Sequence, residues 1–169
     1  MTSGRLWVSA ILLMVAITAC TGASDDGAWR QSQEPLIEEA VVEDLMELPP
    51  DSHAPSEVRT IVCVFSGWDQ SGFHDPSPAL LARLEARHPA VYPASGCETT
   101  RPLGTVTHKA SGEKAQLLGV HSLEWRRDDF VTIEGERIVG PAAGASWIYT
   151  LSHTEKGWAI DTAKADKIY

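Results

Sequence analysis

Ser66, Asp69, His74 and Asp75 lie within one short stretch, SGWDQSGFHD, just before a Ser-Pro pair that suits a helix start. Serine, imidazole and carboxylates in a single loop are the parts of a hydrolytic cluster, or of a site offering nitrogen and oxygen to a metal ion. The spacing matches no metal signature, and Asp and His at loop tips also serve as turn and cap residues. The loop is the candidate ligand site of the chain, with no catalytic or metal-binding residue assigned. Ser146, in GASWI, lacks the second glycine of a nucleophile elbow. His121 shares a strand pattern with Leu123 and Trp125 and reads as a half-buried core histidine. Glu38, Glu39, Glu43 and Asp44 read as a solvated helix face, not as a paired general acid and base. The sequence has no HExxH, phosphate-binding loop, dinucleotide fingerprint or calcium loop, and no cofactor is implied.

The first twenty residues are more specific. Met1 to Arg5 is short and basic, Leu6 to Ala16 is apolar and uncharged, and Ile17-Thr18-Ala19-Cys20 follows. That order is the order of a secretory leader, and the apolar run is shorter than the roughly 20 residues a bilayer crossing needs. The four residues at 17–20 resemble the bacterial lipobox, in which two small residues precede a cysteine that is acylated and becomes the first residue of the mature protein. The resemblance implies cleavage after Ala19, a lipid at Cys20 and attachment to a membrane, since each buried methylene contributes about 0.8 kcal/mol. An ordinary leader ending near Ala19 is the alternative. Thr21 in place of Asp favours the outer membrane where the host has two; with one membrane the protein sits on its outer face.

Three cysteines are present. With Cys20 acylated, Cys63 and Cys97 remain, and an even pair in an exported chain is most simply a disulfide. A catalytic thiol at Cys63 or Cys97, with a histidine beside it, is the alternative.

The formal net charge is −9, and Arg5 is the one charged side chain of residues 1–19. An acidic chain without clustered Lys and Arg is unsuited to phosphate backbones, so no nucleic acid is expected, nor a polybasic grip on lipid heads. Residues 21–33 are small and polar and read as a flexible tether, with Trp29 a stray aromatic.

From residue 34 onward the spacing predicts one domain. Ile37, Val41, Leu45 and Leu48 form a helical stripe over 35–48, begun near Ser32 and Pro35 and ended by Pro49-Pro50. TIVCVF at 60–65 reads as a strand buried on both faces. Ser77 caps a helix with Pro78 at its first position, apolar at Leu80, Leu81 and Leu84, and stopped by Pro89. Val91-Tyr92 starts a short strand. Residues 103–108 and 114–125 read as a hairpin around Ser111-Gly112, with Ala115, Leu117, Gly119, His121, Leu123 and Trp125 on one face. Phe130 to Glu134 is a strand interrupted at Gly135, with a bulge before 136–139. Residues 146–152 and 158–162 form a last hairpin turned at Gly157.

The expected architecture is α+β: N-terminal helix, strand and second helix packed on a four- to five-stranded antiparallel sheet. The expected organisation is 1–19 signal peptide, 20–33 lipidated Cys20 and tether, and 34–169 domain. DPSPALLARL, PASGC and the later Trp and Gly positions resemble small uncharacterised bacterial exported proteins. The sheet-and-helix order also resembles the nuclear transport factor 2 class, which implies a curved sheet around a pocket but no particular chemistry. The functional expectation is a membrane-tethered, non-catalytic module that binds an envelope protein, a glycan or a small ligand. The alternative is a small hydrolytic or metal-dependent enzyme using the Ser66–Asp75 loop.

Overall fold

The computed structural model describes residues 25–48, 61–99, 105–140 and 143–168. The expected leader at 1–19 and Cys20 lie outside the described residues.

Helix α1, Asp25–Glu47, carries Ile37, Val41, Val42 and Leu45 as a fully buried stripe. It starts ten residues before the predicted start and holds Pro35 inside it, so residues 25–33 are helical and not a spacer. The physical reason is tertiary. Trp29 packs on Trp125 and His153, with ring centroids 5.7 and 5.9 Å apart. Arg30 pairs with Asp128 at 2.6 Å, and Trp158 Nε1 donates to Gln33 Oε1 at 3.2 Å. Such contacts override a weak local propensity and the one hydrogen bond that Pro35 removes. Trp29 is thus a packing residue, not a stray one.

Strand β1, Ile61–Ser66, leads through two short strands, β2 (Trp68–Asp69) and β3 (Gly72–Phe73), to helix α2, Pro78–Arg87. Ser77 caps α2 by accepting from Leu80 N at 3.2 Å, as expected. Then come β4 (Val91–Pro93), a 3-10 turn at Ala94–Gly96, β5 (Cys97–Thr99) and β6 (Val106–His108). A long meander closes the chain: β7 (Ala115–Arg127), β8 (Phe130–Gly140), β9 (Ala143–Thr154) and β10 (Gly157–Ile168).

The class is α+β, but the main sheet is a six-stranded mixed one in the order β10-β9-β8-β7-β1-β4. β1 runs parallel to both β4 and β7, while β7 to β10 are antiparallel. The expected purely antiparallel sheet fails because β1, apolar on both faces, is inserted between β7 and the edge strand β4. An all-apolar strand suits that covered place, and a crossover through α2 makes its pairing with β4 parallel.

The two faces have separate cores. On the helix face, α1 and α2 bury Val62, Val64, Leu118, Val120, Val131, Ile133, Tyr149 and Leu151. On the other, Ile61, Cys63, Phe65, Leu117 and Ile138 pack under Ala94, Cys97 and Val106. A disulfide joins Cys63 to Cys97, Cα atoms 6.3 Å apart, and pins the β5–β6 segment to the sheet. It consumes both thiols, which corrects the alternative of a catalytic cysteine at either position.

The hairpin expected around Ser111-Gly112 is also corrected. β6 pairs with β5, and among the described residues the hairpin is limited to the antiparallel bridge of Thr107 to Lys114 and the bond from His108 N to Glu113 O at 2.9 Å. Gly112 does turn the chain, at φ +71°. Gly135 does not interrupt β8; the strand passes through it in register, and the glycine makes room for α1. The last hairpin forms as expected, turned at Gly157 with φ +106°, and is longer at both ends.

Candidate functional site

The Ser66–Asp75 loop is a small folded hairpin. Asp69 accepts from Ser71 N at 2.7 Å and Ser71 Oγ at 2.6 Å, closing the turn between β2 and β3. Those two bonds, the hydroxyl first and the His74 charge after them, hold the Asp69 carboxyl below the usual carboxylate range. His74 Nε2 lies 3.2 Å from Asp69 Oδ2. The other two candidates point elsewhere. Ser66 Oγ donates to Glu38 Oε1 at 2.7 Å on the helix face, and Asp75 Oδ1 accepts from Ser95 N at 2.7 Å. The structure therefore brings Asp69 and His74 together and leaves Ser66 and Asp75 out of that pair. Among the described residues no group of three or more His, Cys, Asp or Glu is arranged to hold a metal ion.

A second polar cluster is built by an irregularity in β7. Its pairing with β8 runs in register to His121 opposite Glu134, and resumes with Glu124 opposite Thr132. Ser122 and Leu123 thus face the single residue Ile133, which is a β-bulge. Ser122 takes φ +57°, the one positive φ of a non-glycine residue among the described residues. The extra residue reverses the alternation. Leu117 and Gly119 face the disulfide side with His121, while Leu123 and Trp125 turn to the helix face and join its core. Ala115 lies with Leu117 on the disulfide side, so the expectation that all six residues share one face is corrected at Leu123 and Trp125.

Around His121 the disulfide face of the sheet is polar. Glu134 Oε2 lies 3.6 Å from His121 Nδ1. Glu136 follows on the same side of β8; Ser146 stands opposite it on β9, and Lys167 opposite Ser146 on β10. From the loop hairpin, Trp68 sets its ring edge-on to His121 at 6.0 Å, yet stays 57% exposed. Burial pushes His121 below the usual histidine range; Lys167 adds to that and Glu134 opposes it. Burial likewise raises Glu136, Glu134 adds, and Lys167 opposes. Groups shifted first by burial and then by one another in this way are a mark of functional sites, although structural networks shift them too.

The geometry constrains the chemistry. Ser122 Oγ is 3.0 Å from His121 Nδ1, the same nitrogen that Glu134 approaches. A Ser-His-acid triad needs the serine at one ring nitrogen and the acid at the other. Here both are on Nδ1, so the imidazole is held as a hydrogen-bonding group, not set up as a base for Ser122. What the patch offers a ligand is an exposed indole beside carboxylates, an ammonium and a neutral imidazole. Trp68, Glu134, Glu136 and Lys167 come from three strands, and the sequence does not single them out. The alternation of Thr132, Glu134 and Glu136 against Val131 and Ile133 was the signal available for a polar face.

The acidic helix face is also divided. Glu39 is buried: Oε2 accepts from Arg83 Nε at 2.5 Å, and Arg87 closes on Oε1. It locks α1 to α2, where the sequence suggested a solvated residue. No known protein family, curated protein or solved structure matches the chain.

Proposed function

We propose that the chain is an exported, lipid-anchored protein of the cell envelope, and that its domain is a non-catalytic binding or accessory module. The observation that carries this is the Cys63–Cys97 disulfide. A structural disulfide belongs to an oxidising compartment. Of three cysteines it leaves Cys20, which follows a leader-like segment and the lipobox-like Ile17-Thr18-Ala19. Cleavage after Ala19 and acylation of Cys20 hold the domain at the periplasmic face of the outer membrane in a two-membrane host, or outside the cell membrane in a one-membrane host. The shared Nδ1 of His121 favours binding over hydrolysis at the polar face.

Two measurements test this. Intact mass of the native product reports leader removal, acyl mass and the two-hydrogen loss of the disulfide. Amide NMR shifts of the soluble domain, titrated with envelope oligosaccharides and short peptides, report the binding face. Shifts centred on Trp68, His121 and Glu134 support the module. A full-length product in the cytosol, or shifts that cluster away from this face, would refute it.

A further inference from the structure

The early start of α1 limits how far the domain can stand from its anchor. Only five peptide steps separate Cys20 from Asp25, at most about 18 Å of fully extended chain. The first turns of α1 are in turn fixed to one end of the sheet. Arg30 pairs with Asp128 in the turn between β7 and β8, and its guanidinium lies 5.4 Å from the Trp125 ring centroid. His153 N donates to Asp129 O at 2.8 Å, which brings the end of β9 to the same place. The 23-residue helix then runs about 34 Å away from that end. Its last residues are tied down at the opposite end, where Arg137 Nη1 donates to Leu48 O at 2.8 Å.

We infer that the end of the domain formed by Trp29, Arg30, the β7–β8 turn and the β9–β10 turn seats on the headgroup layer of the bilayer that holds the lipid. This rests on the acylation of Cys20 proposed above. Two further features of that end suit it. The rings of Trp29, Trp125, His153 and Trp158 pack together there, 5.1–5.9 Å between centroids. Trp125 Nε1 is buried and Trp158 Nε1 is bonded to Gln33, so Trp29 is the indole of this cluster left to meet the lipid–water interface, where an apolar ring with one polar edge is favoured. Three ion pairs lie there, Arg30 with Asp128, Arg126 with Glu124, and Arg127 with Asp129, and the β9–β10 turn adds one charge of each sign, Glu155 and Lys156. A chain of net charge −9 is repelled as a whole by anionic lipid, and this end locally cancels that repulsion.

The test uses the full chain, processed in a bacterial host and reconstituted into phosphatidylethanolamine–phosphatidylglycerol vesicles. It is compared with a variant carrying a Gly/Ser spacer of about twelve residues between Ser24 and Asp25, which adds about 20 Å of reach. Hydroxyl-radical labelling and amide exchange are read by mass spectrometry. The expected result is severalfold protection of Trp29 and of residues 126–129 and 154–157 in the native-length protein. That protection is lost in the spacer variant, while the turn at 109–112 labels equally in both. Acyl mass with equal labelling of Trp29 and both turns in the two proteins overturns this inference alone. A native product without acyl mass overturns the anchor and the inference with it.

Discussion

Replacing Gly135 by alanine tests the seat of α1 on the sheet. A Cβ built at Gly135 falls 2.7 Å from Tyr149 Cε2, 3.0 Å from Val41 Cγ1 and 3.3 Å from Leu45 Cδ1. Carbon atoms rest at about 3.5–4.0 Å, so the neighbours must give by roughly 1 Å. None has room to do so. Tyr149, Val41 and Leu45 are all fully buried. Tyr149 is further fixed by donating its hydroxyl to Asp44 Oδ2 at 2.9 Å, and burial with that bond holds its ionisation far above the usual tyrosine range. Overpacking a rigid core costs about 1–3 kcal/mol, and a strained hydrogen bond to a carboxylate adds about 1 kcal/mol or more. The lower flexibility of alanine in the unfolded chain returns only about 0.4–1 kcal/mol. Gly135→Ala should therefore cost about 2–3 kcal/mol. In urea, with a slope of about 1–3 kcal/mol per molar, the midpoint falls by about 1–2 M. A loss under about 0.5 kcal/mol, the size of an ordinary surface effect, would show that α1 does not sit over this residue. Gly119→Ala is the companion on the opposite face. Its Cβ meets the Phe65 ring at 2.5 Å and the Phe65 backbone oxygen closer still, so it should cost at least as much.

Three other outcomes are expected. Reduction of Cys63–Cys97, or its replacement by serines, should lower stability by about 3–4 kcal/mol on chain entropy for a separation of 34 residues; an unchanged melting temperature under reductant would contradict it. Glu39→Gln leaves Arg83 facing a buried amide and leaves Arg87 with Glu43 alone, 2.6 Å from its Nη1. Because both guanidiniums are about half exposed, the cost should be about 1–3 kcal/mol and not the full loss of a buried pair, as read by urea denaturation. Glu38 gives a pH signature. Burial first, and Glu34 after it, raise its carboxyl, while the Ser66 bond opposes. A folded carboxyl held above its unfolded value favours folding below the unfolded range and loses that contribution as pH rises through the folded value. Glu38→Gln keeps an oxygen for Ser66 and removes the titration. The variant should gain on the wild type as pH climbs above 4.5, and parallel stability curves from pH 4 to 7 would refute the reasoning.

What was legible in the sequence was local. The β-branched run at 61–65, the Ser77-Pro78 start of α2 and the Gly157 turn each carry their own cause, and each forms where expected. What was not legible depends on partners far along the chain. The first turns of α1 are held by Asp128, 98 residues from Arg30, and by Trp125, so no pattern within 25–33 announces a helix. The parallel place of β1 against β7 is likewise set by a pairing across some 54 residues, Ile61 opposite Ala115. Neighbouring glutamates show the same limit on α1. Glu38 and Glu39 look alike in sequence, yet one meets Ser66 and the other two arginines of α2.

The least legible feature has the widest reach. HSLEW at 121–125 contains no glycine, so nothing in it marks a bulge, yet Ser122 takes a left-handed backbone there. Such a residue costs of order 1–3 kcal/mol and persists only where its surroundings fix it. With regular alternation His121 and Trp125 would share a face. The indole would then leave the helix side, and Trp29 and Arg30 would lose the ring they pack against. One inserted residue instead sends Trp125 toward α1 and keeps His121 beside Glu134 on the opposite side. The aromatic end that anchors the first turns of α1 and the polar patch around His121 are therefore two consequences of the same backbone irregularity.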